Sequence, residues 1–169
     1  HILSMLHQEI IKTLKQFESK MNDGMDMVVV RLEGKPGLDK INLQFSGAKN
    51  ELMYISEHEV VVLKGDRQSI GGYLFNDQPD FKLKQMTLEN DHGMIYLFTD
   101  GFADTPNAKR KSFGSRKLKT MMIDLARFPF QRQKEQLVAA LKEHAQDTPN
   151  RDDVTLIGLQ PDLDLLLNN

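Results

Sequence analysis

Apolar residues at Leu3, Leu6, Ile10, Leu14 and Phe17 recur at spacings of three and four, which predicts one helical stripe from Ile2 to about Ser19. The pattern opens at Ile2 with no capping residue ahead of it. Asn22-Asp23-Gly24 signals a turn, and a Val-rich strand is expected over Met25 to Leu32, closed by Gly34-Lys35-Pro36-Gly37. From Ile41 to Gly47 the period changes to two, with Ile41, Leu43 and Phe45 opposite Asn42, Gln44 and Ser46. Leu52 to Ser56 and Val60 to Lys64 follow as short strands of a meander. Phe81 to Leu88 alternates as well, with Phe81, Leu83 and Gln85 opposite Lys82, Lys84 and Met86. Ile95 to Phe98 is a continuous apolar run. Downstream, Ser115 is expected to cap a helix through Leu118, Met121, Met122 and Leu125. Phe128-Pro129-Phe130 breaks it, Gln131 to Gln146 restarts it through Leu137, Val138 and Leu141, and Val154 to Leu159 forms a last strand. Leu163, Leu165, Leu166 and Leu167 in the tail need cover.

Strands grouped apart from helices define an α+β class and exclude a doubly wound parallel sheet. At 169 residues the chain fits one domain, 1–169, with a sizeable core. Its 22 basic and 24 acidic side chains leave a formal charge of −2, which argues against a general nucleic-acid surface. The absence of Cys excludes disulfides and thiolate zinc and suits a reducing compartment. No apolar run is long enough to span a membrane and no signal peptide is visible, so a cytoplasmic location without membrane contact is expected.

Chemistry concentrates in two places. The strand-like run ends in Thr99-Asp100-Gly101, and Arg151-Asp152-Asp153 stands directly before the final strand. A carboxylate closing an apolar strand needs water, a donor or a cation, which puts Asp100 at a strand mouth. Two such strands would bring acids to one place, where oxygen donors suit Mg²⁺ or Mn²⁺. Asp-Gly is also a common turn and Asp-Asp a common solvated loop, so both readings stand. Gly71-Gly72 reads equally as a flexible loop or a close backbone approach. Lys109, Arg110 and Lys111 lie in a polar stretch, Asp104 to Ser112, which reads as a solvated loop or as cations approaching a phosphate. His7, His58, His92 and His144 are scattered, and no HExxH pair, GxSxG elbow or P-loop occurs.

Five blocks, Phe45-Ser46-Gly47-Ala48-Lys49, Gly65-Asp66-Arg67-Gln68-Ser69-Ile70-Gly71-Gly72, Leu97-Phe98-Thr99-Asp100-Gly101-Phe102-Ala103-Asp104, Phe113-Gly114 and Arg151-Asp152-Asp153-Val154-Thr155, together resemble the SpoIIE-like branch of the type-2C metal-dependent protein phosphatases. The resemblance implies layered antiparallel sheets flanked by helices. It also implies two Mn²⁺ or Mg²⁺ ions that activate water against phosphoserine or phosphothreonine. Asp100 and Asp152 match metal positions, Asp153 takes a neighbouring place where relatives often carry Asn, and Gly101 and Gly71 lie near the site. Lys109, Arg110 and Lys111 become candidates to meet substrate phosphate. The implied substrate is a phosphorylated regulatory protein of the anti-sigma-factor-antagonist type, and the implied neighbour in the parent chain is an N-terminal sensory or receiver region. One motif of the pattern is missing: an earlier Asp in a Gly-rich strand that bridges the ions. The chain is therefore expected to be the larger, C-terminal part of such a domain, truncated at its N-terminus, binding metal weakly and nearly inactive alone. Strand edges left unpaired would favour a homodimer, and a noncatalytic binding or dimerisation module is the rival expectation.

Overall fold

A computed structural model of the chain describes residues 2–19, 21–34, 40–72, 79–89, 93–162 and 166. Its elements in chain order are α1 (Ile2–Thr13), α2 (Gln16–Ser19), β1 (Gly24–Met25), β2 (Met27–Gly34), β3 (Lys40–Ala48), β4 (Leu52–Ile55), β5 (Val60–Leu63), β6 (Ile70–Gly71), β7 (Lys84–Glu89), β8 (Met94–Phe98), α3 (Gly101–Asp104), α4 (Ser115–Leu125), α5 (Phe130–Ala145) and β9 (Leu156–Leu159). They fall into two compact units, one of His1–Met53, Val62–Asp91 and Pro161–Asn169, the other of Tyr54–Val61 and His92–Gln160. The expected turn at Lys35-Pro36-Gly37 and tail residues Leu163, Leu165 and Leu167 lie outside the described residues.

The first unit is organised by β3, the central strand of an antiparallel β2–β3–β7 sheet. Its period-two pattern is realised as read, since Ile41, Leu43 and Phe45 are buried while Asn42, Gln44 and Ser46 are half-buried. Leu3, Ala48, Ile70 and Phe81 form a core against which Leu6, Ile10, Met27 and Val29 pack. The helical stripe differs from the expected one. Leu3, His7 and Ile11 face inward, whereas Leu14 and Phe17 are exposed. The cause is Lys15, whose φ of 48° ends α1 and restarts the chain as α2 with Gln16 turned inward. The strand expected from Phe81 starts only at Lys84, because the Lys82 N–H donates to Asp66 Oδ2 at 2.8 Å and not to a sheet partner. Phe81 is still buried, as a core residue ahead of the strand, while Leu83 is exposed.

The second unit is built on the sheet of order β5–β4–β8–β9. Met94, Ile95 and Tyr96 are buried, as a continuous apolar run requires, and β8 pairs antiparallel with β9 from Ile95↔Leu159 to Phe98↔Leu156. α4 turns Leu118, Met122 and Leu125 inward, and Met121 is only half-buried. Ser115 does not cap it: Gly114 is the N-cap, with no side-chain bond, and its φ of 96° suits glycine. α5 buries Gln133 and Leu137, whereas Val138 is exposed. Gln133 sets that phase by accepting the Tyr96 hydroxyl at 2.7 Å while donating to the Phe128 carbonyl at 2.7 Å. Isolated from water in this way, the Tyr96 phenol is pushed up to about 12.

Candidate functional site

The acids meet where β8 runs out beside β9. Beyond the last paired residues, Phe98↔Leu156, the Thr99 N–H donates to the Thr155 carbonyl at 3.0 Å and the Thr155 N–H donates to Thr99 Oγ1 at 3.2 Å. Thr99 thus extends the strand pairing through both its backbone and its side chain. The chain turns at Asp100 into α3, with the Asp104 N–H donating to the Asp100 carbonyl. At Gly101 a Cβ would stand 2.2 Å from the Asp153 carbonyl oxygen. Its φ is not of the left-handed kind, so glycine is required here by space alone. Backbone contact at Gly101 therefore brings Asp100 and the Asp152-Asp153 pair to one sheet edge.

All three carboxylates are exposed, and Asp152 Oδ1 accepts the N–H of Asp153 at 2.8 Å. Their oxygens are the right donors for a hard divalent cation. They fall short in number, for among the described residues no three acid or His side chains stand close enough to hold an ion. Exposure to solvent softens the mutual repulsion of these carboxylates.

The stretch Asp104 to Ser112 is solvated at Asp104 and from Ala108 to Ser112, and its backbone is an ordered turn. Thr105 and Pro106 are buried, Thr105 Oγ1 donates to the Gly101 carbonyl at 2.8 Å, and Pro106 bridges to Ser112. Asn107 organises the tip: its Oδ1 accepts the N–H groups of Lys109 and Lys111, each at 3.0 Å, and its own N–H donates to the Lys111 carbonyl. Arg110 takes a φ of 58° at the tip. Lys109, Arg110 and Lys111 are consequently held out into solvent on a defined backbone, in the same unit as the acid edge. The signal for this in the sequence is Thr-Pro-Asn, a turn opener whose amide bonds residues two and four further on.

Gly71 belongs to the first unit and has a visible structural duty there. Its φ is 73°, a Cβ would stand 2.7 Å from Ile10 Cγ2, and its N–H donates to His7 Nδ1 at 3.1 Å. Next to it, the Gly72 N–H donates to Gln16 Oε1 at 2.8 Å, and Gln16 Nε2 donates to the Asp23 carbonyl. The close-approach reading is therefore the correct one, with α1 as the element approached. His7 is buried and accepts the Gly71 N–H through Nδ1, as a neutral imidazole does.

With this geometry the chain belongs to the stage II sporulation protein E (SpoIIE) family, whose model matches residues 2–162. It is also similar to the SiaA-PP2C domain of Pseudomonas aeruginosa, with 31% identity and a TM-score of 0.76 over 95% of this chain and 60% of that one. A bacterial serine phosphatase carrying a single substitution shares the fold at 14% identity, with a TM-score of 0.53 over 91% of this chain and 63% of that one. The chain thus spans less than two thirds of the length of these relatives. No curated protein matches it significantly. The antiparallel α+β architecture is that of a type-2C phosphatase domain.

Proposed function

We propose that the chain, 1–169, is the larger part of one domain of a metal-dependent protein serine/threonine phosphatase that hydrolyses phosphoserine or phosphothreonine on a bacterial regulatory protein. The observation that carries this reading is the β8–β9 register, which sets Gly101 against Asp153 and so gathers three acids at one edge. Asp100 and Asp152, with Asp153 beside them, are the ligands this chain would offer to Mn²⁺ or Mg²⁺, ions whose chemistry at such sites is to acidify bound water. The Gly-rich Asp motif of the family pattern does not occur in these 169 residues, so the chain alone binds the ion weakly and hydrolyses phosphate esters near background. Lys109, Arg110 and Lys111 supply positive charge for a substrate phosphate. The phosphoprotein class, an anti-sigma-factor antagonist, and the attached sensory or receiver region rest on family resemblance, and the cytoplasmic setting on the Cys-free composition and the lack of a membrane-length apolar run. Among the described residues no helix is long and apolar enough to cross a bilayer.

The test is Mn²⁺-dependent hydrolysis of p-nitrophenyl phosphate by the full-length protein that carries this chain. Altering groups around a metal's ligands costs 10–100-fold, so loss of a ligand in Asp100→Ala should cost at least ~100-fold. Wild-type activity in that variant would overturn the assignment. A second reading is a noncatalytic module used for binding or dimerisation. Exposed Ile2 and Met5 on α1, Leu14 just after it and Phe17 on α2 support self-association. A full-length protein with no Mn²⁺-dependent hydrolysis, but a dimer by sedimentation, selects this second reading.

A further inference from the structure

Six cations stand in the eleven residues from Lys109 to Lys119, with no acid among them. The rest of the chain sets its other 16 basic side chains against all 24 acidic ones, so this segment is a positive island on a negative background. Folding leaves it charged. Among the described residues, Lys109, Arg110, Lys111, Arg116 and Lys117 form no ion pair.

The ring of Phe113, 4% exposed, joins the turn to α4. On one side the His144 ring meets it edge-on at 5.2 Å, and His144 Nε2 contacts the Lys111 carbonyl at 3.1 Å. On another, Lys117 Nζ lies 4.3 Å over its centroid. Phe102 packs edge-on against it at 5.0 Å, tying the assembly to α3. Arg116 and Lys119, three residues apart on α4, share a helical face distinct from the buried Leu118, Met122 and Leu125. Like charges at neighbouring positions repel one another, and solvent exposure softens that cost. Their fixed backbone lowers the ordering cost when an anionic partner docks.

We infer that the turn 107–112 and the first turns of α4 form a docking surface for an acidic face of the protein substrate, engaging several carboxylates and not the phosphoryl group alone. The identity of the partner as a substrate rests on the phosphatase reading above, while the surface itself does not. A nucleic acid fits less well. The cations are confined to one spot, the remaining chain is acidic, and Phe113, the aromatic residue of the segment, is buried and cannot stack on a base.

The test measures fluorescence anisotropy with the 169-residue chain and four probes: a Glu/Asp-rich peptide with one phosphoserine, the same peptide unphosphorylated, a phosphoserine peptide with neutral flanks, and a DNA duplex. Both acidic peptides should bind, weakening steeply with added salt, and the neutral phosphopeptide should bind more weakly than either. Lys109→Glu with Arg116→Glu should weaken acidic-peptide binding by roughly tenfold or more. The corresponding Gln pair should give a smaller loss, and Lys134→Glu on α5 none. Unchanged binding in the Glu pair, preference for the neutral phosphopeptide, or tighter binding of the duplex would each overturn the surface. Hydrolysis of p-nitrophenyl phosphate by the full-length protein reports separately. Acidic-peptide binding without hydrolysis upholds the surface and removes the phosphatase reading, and hydrolysis without peptide binding does the reverse.

Discussion

Replacing Gly101 by Ala tests the contact that assembles the acid edge. The added Cβ would stand 2.2 Å from the Asp153 carbonyl oxygen, about 1.2 Å inside the 3.4 Å at which ordinary contact begins. The obstructing atom is backbone and cannot rotate aside, so α3 or the 152–153 segment must move by about that distance. Overpacking of this kind costs roughly 1–3 kcal/mol. Helix propensity works the other way, since Ala is favoured over Gly by up to about 1 kcal/mol, and less at a first helical position. The clash wins, leaving a net loss of roughly 2 kcal/mol, which for a chain of this size lowers Tm by about 4–8 °C. Urea unfolding followed by circular dichroism measures the loss. Amide exchange at Thr99, whose N–H donates to Thr155, localises it to the strand ends. Stability within about 0.5 kcal/mol of wild type, with unchanged exchange at Thr99, would refute the account of how the acids are brought together.

Asn107→Ala removes the acceptor of the Lys109 and Lys111 N–H groups, so those amides should exchange markedly faster while stability falls by about 1 kcal/mol, readable in the same experiments. Tyr96→Phe leaves Gln133 Oε1 buried without the hydroxyl that donates to it, at a cost of roughly 1–3 kcal/mol by urea unfolding. The same phenol makes stability pH-dependent. Its folded value, about 12, lies above the ordinary 10.0, so its contribution is complete below pH 10 and is lost as pH rises through 12. Unfolding curves at pH 9 and at pH 11 should therefore converge more closely in Tyr96→Phe than in the wild type. Gly71→Ala combines a φ of 73° with a Cβ 2.7 Å from Ile10 and should destabilise the first unit by more than 1 kcal/mol, seen as faster exchange in β6.

Much of this was legible because burial writes a period into a chain. Ile41, Leu43 and Phe45 announce β3, and the run Ile95 to Phe98 announces β8, buried at Ile95 and Tyr96 and half-buried at Leu97 and Phe98. The acids at Asp100 and Asp152 were readable as strand-end residues because each lies beside an apolar run, and pairing of β8 with β9 puts them at one edge. What escaped was polar and local. Lys15 breaks the first helix with neither Gly nor Pro to mark it. The phase of α5 is set by Gln133 reaching Tyr96, an attraction between residues 37 positions apart that a hydrophobic count does not register. Asn107 converts an apparently featureless basic stretch into an ordered turn through its own side chain, while Gly114 takes the capping position that Ser115 seemed to fill. The number of donors around a cation was equally out of reach, since it depends on carboxyl separation and not on residue order.

Gln16, fully buried on α2, gives a carbonyl oxygen to Gly72 and an amide hydrogen to Asp23, the residues that flank the two-residue ladder of β1 and β6. An amide is polar in opposite senses at its two ends, so the stitch works in one direction only. A glutamate of the same shape would set oxygen against oxygen at Asp23, and a lysine would have nothing to offer Gly72. One helical turn and a pair of two-residue strands thus share this fastening, beside the bond from Gly71 to His7, and a change of one atom in the Gln16 side chain would loosen its hold on all three.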